Sequence, residues 1–130
     1  MSKVILVNPA NATVGYSLIT PRWLYVIAGA TPTELVGDPV VIDVPVTPFN
    51  AEDIAPGDIV GVGIHTGNCR PGYRIVREAK KRGATVIVVD PRLSVAASKA
   101  KYYLPIKPGT DTALLLAWMN VLLTENLYDR

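Results

Sequence analysis

The chain has few side chains that could carry out chemistry. His65 is the only histidine and Cys69 the only cysteine among the 130 residues, and they lie four positions apart. A thiol nucleophile needs a base that a third group orients, and no acidic residue lies beside this pair. A single cysteine cannot bind an iron–sulfur cluster or a cysteine-rich zinc ion. We therefore predict no catalytic residue, no metal site and no enzyme activity.

Polar side chains that could bind a ligand follow the apolar runs of the sequence. In a parallel sheet such residues emerge together at the carboxyl edge, where ligands normally bind. The predicted ligand-binding residues at that edge are Asn8, Asn11, His65, Thr66, Asn68, Asp90 and Arg92, and Asp111 near the start of the last predicted helix is a further candidate. They predict a site of low affinity for a small molecule at that edge.

Structural roles compete with ligand binding at three of these places. His65 could cap or pack the loop 66–68, and we favour this role over ligand contact. Asp111 is equally well explained as the N-cap or first-turn acid of a helix, and we favour the capping role. The loop 8–17 either lets a ligand approach the backbone closely or is only a flexible connection, and both alternatives stay open.

The apolar runs predict a parallel sheet. Four β-branched runs lie at residues 4–7, 40–42, 59–62 and 86–89, and all four are continuous rather than alternating. Continuous runs are typical of strands that are covered on both faces. A fifth candidate strand at 102–105 ends in a proline, which only an edge strand or a strand end tolerates.

Helix signals lie between and after these runs. Prolines near the start and a proline or glycine at the end predict helices over residues 20–31 and 71–83. Thr110 or Asp111 caps a third predicted helix, whose apolar stripe would pack on the sheet. This stripe consists of Leu114, Leu115, Trp118, Met119 and Leu122.

The alternation of strands and helices predicts one α/β domain over residues 1–130. We expect a doubly wound, three-layer parallel sheet of the flavodoxin-like kind, with strand order 2-1-3-4-5. In this order the ligand crevice lies at the carboxyl ends of strands 1 and 3. Its rim would be formed by residues 8–16, 65–70 and 90–92.

The composition argues against several classes of partner. Hydrophobic residues make up 49% of the chain and charged residues 18%, which indicates a well-buried core. The formal net charge of +2 predicts no nucleic-acid partner. The first apolar run is too short for a signal peptide or a membrane span, so we expect a cytoplasmic protein without a membrane partner. An uncovered sheet edge allows a weak homodimer, and otherwise we expect a monomer.

Several stretches in the first two thirds of the chain match one known pattern. They are VILVNP at 4–9, PRWLY at 21–25, PGDIVG at 56–61, GIHTGN at 63–68 and RGAT at 82–85. Through them, residues 1 to about 88 resemble the cobalamin-binding domain of B12-dependent radical SAM proteins. The resemblance implies a flavodoxin-like fold that holds cobalamin at the carboxyl edge of its sheet.

The last third of the chain matches a different pattern. The matching stretches are AKKRGA at 79–84, VDPR at 89–92, LPIKPGTDTAL at 104–114 and LYD at 127–129. Through them, residues from about 75 to 130 resemble a molybdopterin oxidoreductase. In that family the Asp-Pro-Arg and Pro-Gly-Thr-Asp turns lie beside the guanine-nucleotide end of the cofactor. The resemblance therefore nominates Asp90, Arg92 and Asp111.

The two resemblances overlap in the helix and strand at 75–89, where a crossover would preserve the sheet. We interpret the chain as an engineered or recombined chimera, a de novo flavodoxin-like scaffold with no catalytic activity and no expected cofactor. One alternative is a small cobalamin carrier with a residual pocket at the sheet edge. Another is a natural accessory fragment that binds a nucleotide or a protein partner.

Overall fold

A computed structural model describes residues 3–11 and 20–126. The chain forms two compact units, Met1–Thr85 and Val86–Arg130. Residues 12–17 of the predicted ligand loop at 8–17 lie outside the described residues, as does the LYD stretch at 127–129. The single domain over residues 1–130 stays a prediction.

The first unit is built on a three-stranded parallel sheet. Its strands are β1 (Val4–Asn8), β2 (Val40–Asp43) and β3 (Ile59–Val62), in the order β2-β1-β3. Both neighbours of β1 run parallel to it. The predicted runs thus form strands, and the central one has four consecutive buried residues, as a strand covered on both faces requires.

Helices cover both faces of this sheet. Helix α1 (Arg22–Ala30) brings Leu24 against Val4 and Leu6, whereas helix α3 (Cys69–Lys81) brings Ile75 and Ala79 to the opposite face. Alternate residues of β1 therefore enter two separate apolar clusters. The short helix α2 (Thr33–Val36), which we did not predict, precedes β2.

Helix α3 begins two residues before the predicted start. Pro71 lies in its first turn, where a missing N–H removes no intrahelical hydrogen bond, so the helix extends back to Cys69. The face that contacts the sheet carries Gly72, Ile75 and Ala79. The opposite face is strongly charged.

The second unit holds a smaller parallel sheet and one long helix. Strand β4 (Ile87–Val89) pairs with β5 (Tyr102–Leu104), and helix α4 spans Asp111–Thr124. A short 3-10 turn at Ala97–Lys99 connects the strands, and similar turns lie at Ala51–Asp53 and Thr66–Asn68 in the first unit.

The predicted fold class is confirmed only at its coarse level. The chain is mixed α/β with parallel strands. The single sheet of order 2-1-3-4-5 is absent from the described residues, because the five strands form two small sheets. The three-residue strand β4 forms its ladder with β5. The flavodoxin-like, three-layer arrangement of all five strands is not confirmed.

Helix α4 differs from the predicted one-sided helix. Large apolar residues lie on several of its sides, and many of them are exposed, which contradicts a stripe packed on a sheet. The exposed residues are Leu115, Leu116, Trp118, Met119, Val121 and Leu123. Within the described part of the chain, no helix is both long and apolar enough to cross a membrane.

Candidate functional site

The carboxyl edge of the first sheet brings together residues that are far apart in the chain. Asn8 ends β1 and Asp43 ends β2, and the parallel register places the two opposite each other. The Asn8 amide nitrogen donates to Asp43 Oδ1 at 2.9 Å. The predicted ligand residue Asn8 is therefore already engaged with a carboxylate that sequence reasoning missed.

The segment after β3 is held by a reciprocal cap. The His65 backbone N–H donates to Asn68 Oδ1 at 2.7 Å, and the Gly67 N–H donates to His65 Nδ1 at 3.1 Å. The Asn68 amide nitrogen donates to the Gly63 carbonyl at 3.1 Å. Asn68 is only 1% exposed, so it holds the backbone rather than offering a polar group to a ligand. His65 has the capping geometry that we favoured.

Gly67 lets a neighbouring side chain lie close to the backbone at this edge. A Cβ atom there would lie 2.6 Å from Asn11 Oδ1, so the Asn11 side chain packs directly on the glycine. Thr66 is exposed in the same turn, and Cys69 is a half-buried free thiol at the start of α3. The structure thus clusters Asn11, His65 and Thr66, whose ligand contacts stay predictions.

Within the described residues, no three side chains among histidine, cysteine, aspartate and glutamate cluster in a way that could hold a metal ion.

A tight turn follows β4 in the second unit. Asp90 Oδ1 accepts a hydrogen bond from the Arg92 backbone N–H at 2.9 Å. This bond, together with one from the Ser94 hydroxyl, lowers the pKa of Asp90 below its ordinary value. The carboxylate is therefore ionised near neutral pH and fixes the turn, while the Arg92 side chain is exposed.

A second turn follows β5 and leads into α4. The Thr110 N–H donates to the Lys107 carbonyl at 3.0 Å, across Pro108 and Gly109. Gly109 has φ +81°, which the third position of a type II turn requires and other residues rarely adopt. Thr110 Oγ1 also donates to the Lys107 carbonyl, at 2.6 Å. The turn delivers Asp111 to the first position of α4.

Asp111 is placed as a first-turn acid but is not the N-cap. Thr110 occupies the N-cap position, and no side chain caps the helix there. The Asp111 side chain is exposed, and the described residues give its carboxylate no hydrogen-bond or ion-pair partner. This carboxylate remains available to a ligand.

The two turns belong to one edge of the small sheet. Strands β4 and β5 are parallel, with Val89 opposite Leu104, so residues 90–92 and 105–111 both continue from its carboxyl edge. The structure therefore brings the Asp-Pro-Arg and Pro-Gly-Thr-Asp turns to the same side of the second unit. It offers one exposed guanidinium and one exposed carboxylate there.

These two turns lie within a segment that a family model matches. The model for molybdopterin oxidoreductase matches residues 49–130, which is more than half of the chain. The chain belongs to the molybdopterin oxidoreductase family. The match also includes β3, the capped turn at 66–68 and α3 from the first unit.

Curated proteins are similar to part of the chain. The alpha chain of the F420-dependent formate dehydrogenase of Methanocaldococcus jannaschii is 44% identical over 82 residues, or 61% of this chain and 12% of that protein. The acetylene hydratase of Syntrophotalea acetylenica is 38% identical over 71 residues, which are 55% of this chain and 10% of that protein. The thiosulfate reductase molybdopterin-containing subunit PhsA of Salmonella typhimurium is 47% identical over 51 residues, which are 39% of this chain and 7% of that protein. The chain thus spans about a tenth of the length of these relatives.

No solved structure matches the chain.

Family membership corrects the functional predictions. The interpretation of the chain as an engineered scaffold without catalytic activity is wrong, because the chain belongs to the molybdopterin oxidoreductase family and is similar to enzymes of natural organisms. The prediction of no cofactor, with cobalamin as the alternative, is also wrong, because this family implies a molybdopterin cofactor. The comparisons give no support for a cobalamin-binding segment or a chimera. Residues 49–74, which we assigned to the cobalamin-like part alone, lie inside the family match.

Proposed function

We propose that this chain supplies part of the site that holds the guanine-nucleotide end of a molybdopterin guanine dinucleotide cofactor. The observation that carries the proposal is the position of the 90–92 and 107–111 turns at one carboxyl edge of the β4–β5 sheet. Loops at this edge of parallel strands are the usual place for nucleotides in α/β proteins. Family membership supports the same class of ligand.

The Asp111 carboxylate fits the base of such a nucleotide. It is exposed, it follows a turn that Gly109 fixes, and the described residues leave it without a partner. Guanine presents two neighbouring N–H donors on one edge, and an ionised carboxylate can accept both. Adenine presents a single amino group beside a ring nitrogen acceptor, so the same carboxylate discriminates against it.

Arg92 fits the charged part of the nucleotide. Its side chain is exposed, and its backbone N–H is held by Asp90. A guanidinium can donate two parallel hydrogen bonds to a phosphate. Asp90 itself already accepts from Arg92 and Ser94, so we assign it to positioning Arg92.

The proposed role is limited to binding and orientation. When bound, the cofactor supplies the redox chemistry that names the family, whereas residues of this chain hold its nucleotide end. The relatives are named for different activities, including formate dehydrogenase and acetylene hydratase. The proposal therefore assigns a cofactor-binding role and no substrate.

The proposal can be tested with GMP as the probe, titrated into the 130-residue chain by isothermal calorimetry. We expect GMP to bind more tightly than AMP. Asp111→Asn should weaken GMP binding about tenfold and leave AMP binding unchanged, because it replaces one of two acceptors by a donor. Arg92→Gln should weaken GMP and AMP alike, because both carry the phosphate.

Glu125→Gln is the matched control, since Glu125 is an exposed carboxylate immediately after the other end of α4. It should leave GMP binding unchanged. Equal affinity for GMP and AMP in the parent chain, or an equal loss in the Asp111 and Glu125 variants, would refute the proposed site.

A further inference from the structure

Helix α3 concentrates the positive charge of the chain. Residues 69–82 contain six of the 13 basic residues and one of the 11 acidic residues, which gives this segment a formal charge of +5. The rest of the chain has a formal charge of −3, so the modest total of +2 conceals a strong local asymmetry. The basic segment is in the first unit, whereas the proposed nucleotide residues are in the second.

Four of these basic residues form one row along the helix. Arg70, Arg74, Arg77 and Lys81 follow the spacing of four, three and four residues that places side chains on a single face. All four are exposed. The buried residues Gly72, Ile75 and Ala79 lie about half a turn away, so the row faces directly away from the sheet. We call these four residues the basic row.

The three arginines of the basic row are unfavourable for the helix that carries them, whereas Lys81 lies in the last turn, where the helix dipole favours a cation. The members of the row are like charges at spacings of three and four residues, and each such pair destabilises a helix. Arg70 also lies in the first turn, where the helix dipole favours acidic residues, and that turn contains no acid. An ion pair on α3 joins Lys81 to Glu78 at 2.9 Å. A local arrangement that opposes helix stability and has no packing role indicates a functional surface.

We propose that the basic row is a docking surface for a short acidic segment on the surface of a protein partner. The row extends for about 16 Å along the helix axis, which matches one short element of a partner. Three of its four members are arginines, which bind carboxylates with two parallel hydrogen bonds. The formal charge of −3 on the rest of the chain repels a long polyanion such as duplex DNA. A short acidic segment can contact the basic row alone and avoid this repulsion.

The proposal can be tested by fluorescence anisotropy with a labelled oligoglutamate peptide as the probe. The double variant Arg74→Glu/Arg77→Glu should weaken peptide binding by about tenfold or more, because it converts two attractions into two repulsions. Arg74→Gln/Arg77→Gln should cause a smaller loss. The control Lys99→Glu/Lys101→Glu changes the net charge equally on exposed residues of the second unit and should weaken binding less than about threefold.

Three outcomes would overturn the proposal. The first is absence of peptide binding by the parent chain at low salt. The second is an equal loss in the α3 and control variants, which would show a nonspecific effect of net charge. The third is tighter binding of a labelled DNA duplex than of the peptide, which would assign the surface to nucleic acid. Circular dichroism should confirm that each variant keeps its helix content, as expected for residues that face away from the core.

Discussion

At the scale of single residues, Asp58 connects the starts of two strands. Its carboxylate accepts the backbone N–H of Lys3 at 2.9 Å and that of Ala55 at 2.8 Å. Lys3 immediately precedes β1, and Asp58 immediately precedes β3. Asp58 is buried. The hydrogen bond from Lys3, with smaller contributions from Ala55 and the Lys3 charge, lowers the pKa of Asp58 below 3.8 against the opposing effect of burial.

Replacing Asp58 should therefore destabilise the first unit in a pH-dependent way. We expect Asp58→Asn to lower the free energy of unfolding by about 1–3 kcal/mol near neutral pH. The two carboxylate oxygens accept hydrogen bonds from two N–H groups, whereas a neutral amide has only one acceptor oxygen. A carboxylate with a depressed pKa stabilises the fold above its ordinary pKa, and this contribution disappears as the pH falls through the pKa of the folded state. Urea unfolding should show the full difference at pH 6 to 7 and a shrinking difference below about pH 4.

Asp53→Asn is the control for this prediction. Asp53 is an exposed acid five residues earlier, and its bonds with Lys3 and Asn50 use its backbone atoms. This variant should change the unfolding free energy by less than about 0.5 kcal/mol. A pH-independent difference for Asp58→Asn would show that its charge has no role.

Residues at the edge of the first sheet differ in how far their partners could be predicted from the sequence. The cap formed by His65 and Asn68 could be anticipated, because its partners are within three residues of each other. The role of Asp43 could not be anticipated, because its hydrogen bond with Asn8, 35 residues away in sequence, depends on the register of two strands. An acid that directly ends an apolar run was the available signal. Local capping is encoded locally, whereas partners across strands are not.

At the scale of elements, the apolar runs located the five strands of the described residues to within a residue at each end. Continuous β-branched runs are a strong signal because both faces of β1 are buried. The pairing of the strands was less predictable, since the apolar runs do not specify which strands form hydrogen-bonded ladders with β3 or β4. The helix start at Cys69 was missed because Pro71 is compatible with any position in a first turn.

Helix α4 allows a direct test of what this element contributes to the chain. Trp118 is 46% exposed, whereas Leu24 of α1 is 0% exposed between α1 and the sheet. Trp118→Ala should therefore lower the unfolding free energy by less than about 1 kcal/mol. Leu24→Ala should lower it by about 2–5 kcal/mol, because it leaves a cavity in a packed cluster. Both values can be measured by urea unfolding. A loss of about 3–5 kcal/mol for Trp118→Ala would show that this ring is packed in a core.

At the scale of the whole molecule, the chimera interpretation failed because its evidence was largely architectural. Apolar strands punctuated by glycine and proline, each followed by an amphipathic helix, recur in many unrelated α/β families. The turns at 90–92 and 107–111 are more informative, because an Asx-type turn and a type II turn before a helix demand particular residues. These turns identified the family correctly, and the family match extends from them back to residue 49.

The polar residues at the edge of the first sheet lead to a prediction about cobalamin. Equilibrium dialysis against hydroxocobalamin should give no retention, because the polar groups at the first sheet's edge are largely engaged with one another. Asn8 bonds to Asp43, Gly67 donates to His65, and Asn68 is buried with both ends of its amide occupied. A ligand as large as cobalamin needs simultaneous contacts along its length, and few remain available among the described residues.

GMP should behave differently in the same preparation. A ligand that binds only the folded state stabilises it by about 2.7 kcal/mol at a hundred times its Kd, so saturating GMP should raise the thermal unfolding midpoint. AMP is the matched control and should raise it less, because the Asp111 carboxylate favours guanine. Stoichiometric retention of cobalamin by folded protein, with no response to GMP, would reverse this conclusion. It would place the ligand site of the chain at the first sheet instead of the second.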